Sequence, residues 1–154
     1  MADLSNIDPG DLRRLLDEQS ILKTMHRYAA AVDYGGLDDY LDCFTEDGVY
    51  EIAGAFPPAP RRIEGRDRLR EYFLSRPSPA PGGQSKHVYV NPRIEVSGAT
   101  ASAEGYYLGL HSAGGTPVLR SLGRYEDRLI RASDGRWRFR VRTYHGEASL
   151  RQPG

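Results

Sequence analysis

Cysteine is all but missing. Cys43 stands alone in 154 residues, so no intrachain disulfide can staple the fold and no cysteine-type zinc site can form. Charge of one sign is missing too: 21 Lys+Arg balance 21 Asp+Glu, for a formal net charge of +0 and a pI near 6.9. Such a chain has no global attraction to nucleic acid or to an anionic membrane. No window approaches the ~18 apolar residues of a membrane span. The start, MADLSNIDPG, has neither the basic stretch nor the apolar core of a secretory signal. These absences predict a soluble, cytoplasmic protein with no membrane or nucleic-acid partner. Catalytic signatures are absent as well: no GxSxG elbow, P-loop, glycine fingerprint after a first strand, HxH or HExxH. We therefore expect no metal and no cofactor.

The length suits a single domain over residues 1–154, with a helical part over about 8–76 and a four-stranded meander over about 86–146. Asp8 followed by Pro9 reads as a capping acceptor with proline at the first helical position, and Gly35 and Gly36 stop the helix it opens. At about 100° per residue, Ile21, Leu22, Met25, Tyr28, Ala29 and Val32 share one arc, with Asp33 at its edge. Leu37, Tyr40, Leu41 and Phe44 mark a second, short helix. TEDG then turns the chain into a strand, VYEIAG. FPPAPRRIEG reads as a loop because proline lacks the donor that helix or sheet requires. A third helix, RDRLREYFLSR, precedes PSPAPGG, read as a flexible lid.

From Lys86 the period becomes two: KHVYVNPRIEV, TASAEGYYLGLHS, PVLRSLGRYEDRLIR and RWRFRVRTYH, joined by SGA, AGG and SDG. Helices first and an antiparallel meander later imply an α+β fold. In the last strand Trp137, Phe139 and Val141 are expected to face the helices. Arg138, Arg140 and Arg142 then form an outer row, either solvated or packed against acidic residues such as Asp38, Asp39 and Glu104 of another copy. The expectation is a homo-oligomer, a dimer or trimer.

A carboxylate at the edge of a buried arc must be hydrogen-bonded, protonated or wet, which makes Asp33 either a cap or a pocket acid-base group. His111 shares parity with Ala101, Ala103, Gly105, Tyr107 and Gly109, a small-residue face with room above it. The parity of His87 opposes that of Val88, Val90, Ile94 and Val96. Either a bulge near Asn91 and Pro92 resets the strand, or both faces are covered. Cys43, beside Phe44, reads as buried filler rather than a nucleophile.

The stretches RYAAAVDYGGLDDYLDCFTEDGVYE, RIEGRDRLREYF, KHVYVNPRIEVSGATASAEGYY and GRYEDRLIRASDGRWRF together resemble the SnoaL-like branch of the nuclear transport factor 2 superfamily. That family includes polyketide cyclases, scytalone dehydratase and bile-acid dehydratases. The resemblance implies a cone-shaped fold in which a curved, mainly antiparallel sheet wraps N-terminal helices around an apolar pocket. It also implies site residues: Tyr28 and Asp33 from the first helix, His87 at the head of the strand after the third helix, and His111 as a second pocket histidine. Tyr50 and Tyr125 match positions that line the pocket, and Tyr107 and Asn91 complete the candidate substrate contacts. Asp33 follows Val32, where scytalone dehydratase has a tyrosine directly before its aspartate, so the spacing to Tyr28 is more similar to the bile-acid enzymes. The implied activity is a cofactor-free lyase or isomerase, of dehydratase or cyclase type, using His/Asp acid-base chemistry on a carbonyl-bearing polyketide-, aromatic- or steroid-like molecule. The same scaffold also serves non-catalytic ligand-binding and oxygenase small-subunit modules.

Overall fold

In a computed structural model that describes residues 7–54, 61–76, 85–113 and 115–149, the Asp8–Pro9 opening caps a long helix, α1 (Pro9–Tyr34). The Asp8 carboxylate accepts from the backbone N–H groups of Gly10 and Asp11 at 2.7 and 3.2 Å. A cap of this kind contributes about 1 kcal/mol. Gly35 ends the helix at φ 82°, a left-handed conformation that only glycine adopts without strain. Next come α2 (Leu37–Asp42), β1 (Phe44–Gly54), β2 (Arg61–Glu64), α3 (Arg66–Ser75), β3 (Ser85–Ser97), β4 (Thr100–Ala113), β5 (Thr116–Arg131) and β6 (Trp137–Ser149). PSPAPGG, the expected lid, lies outside the described residues, as does the first half of FPPAPRRIEG.

The six strands form one curved sheet in the order β2-β1-β6-β5-β4-β3, antiparallel except where β1 lies parallel to β6. With helices on one face and strands that do not close into a barrel, the fold is the expected α+β cone. Its base is tied by Asp17, which accepts from the Trp137 indole at 3.0 Å and from Arg131 at 3.2 Å. Thr24 donates to the Trp137 carbonyl at 2.7 Å, holding α1 against β6. Above this lock, Ile21, Met25, Phe44, Leu129 and Phe139 are buried as the apolar core.

Two stretches differ from their sequence reading. Arg61–Glu64 is not loop but an edge strand on β1. It is short, and Ile63 is its one buried residue, so it shows no period. TEDG is likewise no turn: β1 already begins at Phe44 and bulges before Val49.

The larger correction concerns β6. Leu129 pairs with Phe139 and Arg128 with Val141, so Arg140 is an extra residue that inverts the alternation. Trp137 and Phe139 face the helices as expected, but Val141 turns outward and Arg142 turns inward, 1% exposed. The outer arginine row does not exist as drawn. Arg138 instead binds Asp42 and Asp134, both at 2.8 Å, and Arg140 binds Asp47 at 2.8 Å. On β3 the expected bulge is present, with two residues opposite one between Val90 and Arg93 and Asn91 at φ 52°. It places His87 and Tyr89 on the same face as Ile94 and Val96.

Candidate active site

The end of α1, the middle of the sheet and the last turn of α3 enclose a cavity of about 250 Å³. Tyr28 and Val32 come from α1, Tyr50 from β1, Tyr72 and Arg76 from α3 and its cap, and His87 from β3. Tyr107, Ser121, Tyr125 and Tyr144 line it from β4, β5 and β6. Small residues on β4 make room for these rings. A Cβ on Gly105 would sit 2.7 Å from the Tyr89 ring, and one on Gly109 would sit 2.6 Å from the Tyr107 hydroxyl. A recess adjoins the cavity, sharing Tyr28, His87, Tyr107 and Tyr125 and adding Met25, Tyr89 and Arg142.

Asp33 answers the question its buried position raised. It is 7% exposed, and both carboxylate oxygens accept from the backbone N–H of His87, at 3.1 and 3.0 Å. Its Oδ1 also lies 2.5 Å from His87 Nδ1. The carboxylate therefore orients the imidazole, favours the tautomer with the proton on Nδ1, and steadies an imidazolium if one forms. Nε2 is left as the ring nitrogen available to a ligand, and the ring itself packs 5.4 Å from that of Tyr107.

The tyrosines form a continuous cage. Ring centroids lie 6.3 Å apart for Tyr28 and Tyr125, 5.6 Å for Tyr107 and Tyr125, and 5.2 Å for Tyr107 and Tyr144. Burial pushes the hydroxyls of Tyr28, Tyr50 and Tyr125 well above the ordinary phenol range, and that of Tyr144 up to about 12. All therefore remain neutral hydrogen-bond donors across physiological pH. Ser121 lies beside the hydroxyls of both Tyr107 and Tyr144 and pulls each down against the larger upward push of burial.

Beneath the cage lies a pair that the sequence reading missed. The Arg142 guanidinium sits 3.8 Å from the Tyr125 ring centroid, 4.2 Å from Tyr28 and 4.4 Å from Phe139, a cation held on aromatic faces. Its Nε is 3.7 Å from Asp127 Oδ1, beyond hydrogen-bond distance. Neither carboxylate oxygen of Asp127, nor Arg142 Nε and Nη1, nor the Tyr89 hydroxyl has a hydrogen-bond partner among the described residues. Burial pushes the Asp127 carboxyl up, while Arg142 pulls it down. The missed signal was the bulge at Arg140; without it, strict alternation puts Arg142 in solvent.

Of the residues expected at the site, Tyr28, Tyr50, Tyr107, Tyr125 and His87 line one cavity, with Asp33 behind His87. His111 does not line it. It pairs with Ser85 at the outer end of β4, with Nδ1 3.1 Å from the Ser85 hydroxyl. Asn91 sits exposed in the β3 bulge, beside Arg93 and Glu104 on the opposite face of the sheet. Tyr72, Arg76, Ser121 and Tyr144 line the cavity without having been anticipated: α3 carried no chemical motif, and the parity of Tyr144 is reset by the same β6 bulge. Cys43 is buried, and burial pushes its thiol up to about 12, too high for a nucleophile. No cluster of three or more His, Cys, Asp or Glu residues among the described residues could hold a metal. Among the described residues no helix is long and apolar enough to cross a membrane.

A family model described as a SnoaL-like domain matches residues 13–143. No match was found among curated protein sequences. Among solved structures, the Mycobacterium tuberculosis protein Rv3472, described as of unknown function, is 25% identical with a TM-score of 0.76, covering 95% of this chain and 80% of its own. A Catenulispora acidiphila protein solved in complex with S-DNPA is 23% identical with a TM-score of 0.68, covering 84% of this chain and 92% of its own. A Novosphingobium aromaticivorans protein with a cystatin-like fold, described as NTF2-like, is 22% identical with a TM-score of 0.78, covering 95% and 91%.

Proposed function

The chain belongs to the SnoaL-like domain family, and on that footing we propose that it is a cofactor-free lyase or isomerase of the dehydratase or cyclase type. Its substrate is a carbonyl-bearing polyketide- or aromatic-like small molecule. The observation that carries this reading is the Asp33–His87 contact of 2.5 Å at the wall of a tyrosine-lined cavity. His87 Nε2 removes a proton from the carbon next to the carbonyl, and Asp33 stabilises the imidazolium that results. Phenol hydroxyls donate to the oxygen that becomes the enolate. In a dehydration the protonated His87 returns its proton to a β-hydroxyl: the C–O bond breaks, a C=C bond forms and water leaves. In an isomerisation the proton returns to carbon instead. Each positioned acid or base contributes about 10²–10⁴-fold, and the donors of the tyrosine cage add electrostatic stabilisation. The positive charge of Arg142 behind the Tyr125 and Tyr28 rings acts in the same direction.

A volume of about 250 Å³ favours molecules of one or two rings over steroids. The small molecule held by the Catenulispora acidiphila relative is consistent with a ligand cavity in this fold. The test is a binding screen of cyclic ketones and hydroxyketones, followed by turnover assays on the wild type and His87→Gln. Equal turnover in the two proteins would remove His87 from the chemistry.

An open groove of about 560 Å³ on the opposite face of the sheet, flanked by Arg62, Arg93, Glu95 and Arg128, favours a second reading. There the chain is an assembly module that packs with another subunit or with copies of itself as a dimer or trimer. Sedimentation showing a monomer at high concentration and moderate salt would dismiss it.

A further inference from the structure

Among the described residues that line the cavity, Arg76, the residue that caps α3, is the only Arg, Lys, Asp or Glu; the rest are tyrosines, Val32, Ser121 and His87. Most described arginines touch an Asp or Glu, and even the buried Arg142 has Asp127 beside it. Arg76 has no carboxylate partner among the described residues; its guanidinium lies over the Phe73 ring, 5.9 Å from the centroid. The carboxylate nearest in function, Asp33, is occupied by His87. Arg76 nevertheless lies close enough to Tyr28, Tyr40 and Tyr107 to pull their hydroxyls down against the larger upward push of burial, so its charge is felt inside the cage.

We propose that Arg76 is a specificity residue that binds a carboxylate on the substrate, making the ligand an anionic carbonyl compound whose acid group sits at the α3 end of the cavity while its reacting carbon lies at His87. A guanidinium is planar and presents paired donors that match a carboxylate, and the fit is strongest where tyrosine walls exclude water. The surrounding hydroxyls could not balance that charge themselves, because they stay neutral. This inference rests on the reading of the cavity as a substrate site, but it is tested by binding alone and so can fail independently of the acid-base reading.

The probes are 1-naphthoate, its neutral amide 1-naphthamide, and 1-naphthyl phosphate, titrated calorimetrically against the wild type, Arg76→Gln, Arg76→Lys and His87→Gln, with melting curves to verify folding. A charge-assisted pair should make naphthoate bind the wild type roughly tenfold to hundredfold more tightly than the amide. That preference should vanish in Arg76→Gln, survive in part in Arg76→Lys, and persist in His87→Gln. Equal binding of acid and amide, no binding of the acid, or a preference that persists in Arg76→Gln would overturn the proposal. Tighter binding of the phosphate than of the carboxylate would overturn the carboxylate assignment. Loss of turnover in His87→Gln with the acid preference intact would uphold both readings, whereas unchanged turnover would remove only the acid-base one.

Discussion

Two buried carboxylates face the same cage of tyrosines, and they are treated oppositely. Asp33, at the α1 edge, accepts the His87 backbone N–H and faces Nδ1 at 2.5 Å. Asp127, on the floor, stands 3.7 Å from Arg142 Nε with neither oxygen bonded. The first arrangement satisfies the charge and aims a titratable ring at the cavity. The second leaves both partners desolvated and poorly joined, which is expensive for folding but places a fixed cation behind the phenols. On the function proposed above, the first pair would carry the proton traffic and the second would set the field in which it occurs.

The comparison can be broken hardest at the floor. Arg142→Ala strands Asp127 without its counter-charge and opens space among four aromatic rings, and is expected to cost about 3–5 kcal/mol in urea unfolding. The double replacement Arg142→Met with Asp127→Leu is expected to recover that loss or exceed the wild type by about 1–4 kcal/mol. A double mutant as unstable as Arg142→Ala would mean that the pair holds the fold together rather than burdening it.

At the dyad the balance between activity and stability should reverse. In Asp33→Asn the amide oxygen can still accept the His87 backbone N–H, but the amide nitrogen then faces Nδ1 and drives the ring proton to Nε2, where it blocks the base. Turnover is expected to fall by about 10²–10⁴-fold, with stability changed by no more than about 1 kcal/mol. A large loss of stability with turnover per folded molecule intact would make Asp33 a structural tie.

The pH dependence sharpens the contrast more gently. Burial raises the Asp127 carboxyl in the folded state, so the native protein holds that proton more tightly than the unfolded chain does. Its contribution is most favourable below the ordinary carboxylate pKa of about 3.9 and is lost as pH rises from there toward neutrality. Replacing Asp127 with Asn should flatten that part of the stability–pH curve; an unchanged slope would show that the carboxyl is not raised. The smallest effect is expected at His111, which lies outside the cavity. Its replacement by Gln should change turnover by less than about twofold, and a loss comparable to that of His87→Gln would bring it back into the mechanism.

How legible all this was depended on whether a residue's direction followed from unbroken periodicity. The α1 helix could be drawn from Asp8, Pro9 and Gly35 because caps are local chemistry. Asp33 could be singled out because a carboxylate at the edge of an apolar arc is a local contradiction. The β3 bulge was legible through conflicting parities on either side of Asn91 and Pro92. The β6 bulge was not, because Arg140 sits in a run where apolar residues and arginines already alternate, and nothing in RFRVR marks the extra residue. That single insertion hid Arg142 and Tyr144. His111 shared parity with the cavity face, but parity cannot report how far along a strand the cavity extends.

The central claim is that Asp33 fixes His87 with its Nδ1 protonated and Nε2 offered to the cavity. Nitrogen-15 NMR of the histidine rings tests it most directly and needs no substrate. In the neutral ring of the wild type, the account predicts a protonated Nδ1, with its proton shifted downfield by a short hydrogen bond, and an unprotonated Nε2; Asp33→Asn should exchange the two. A wild-type His87 carrying its proton on Nε2, or a spectrum indifferent to Asp33→Asn, would contradict it.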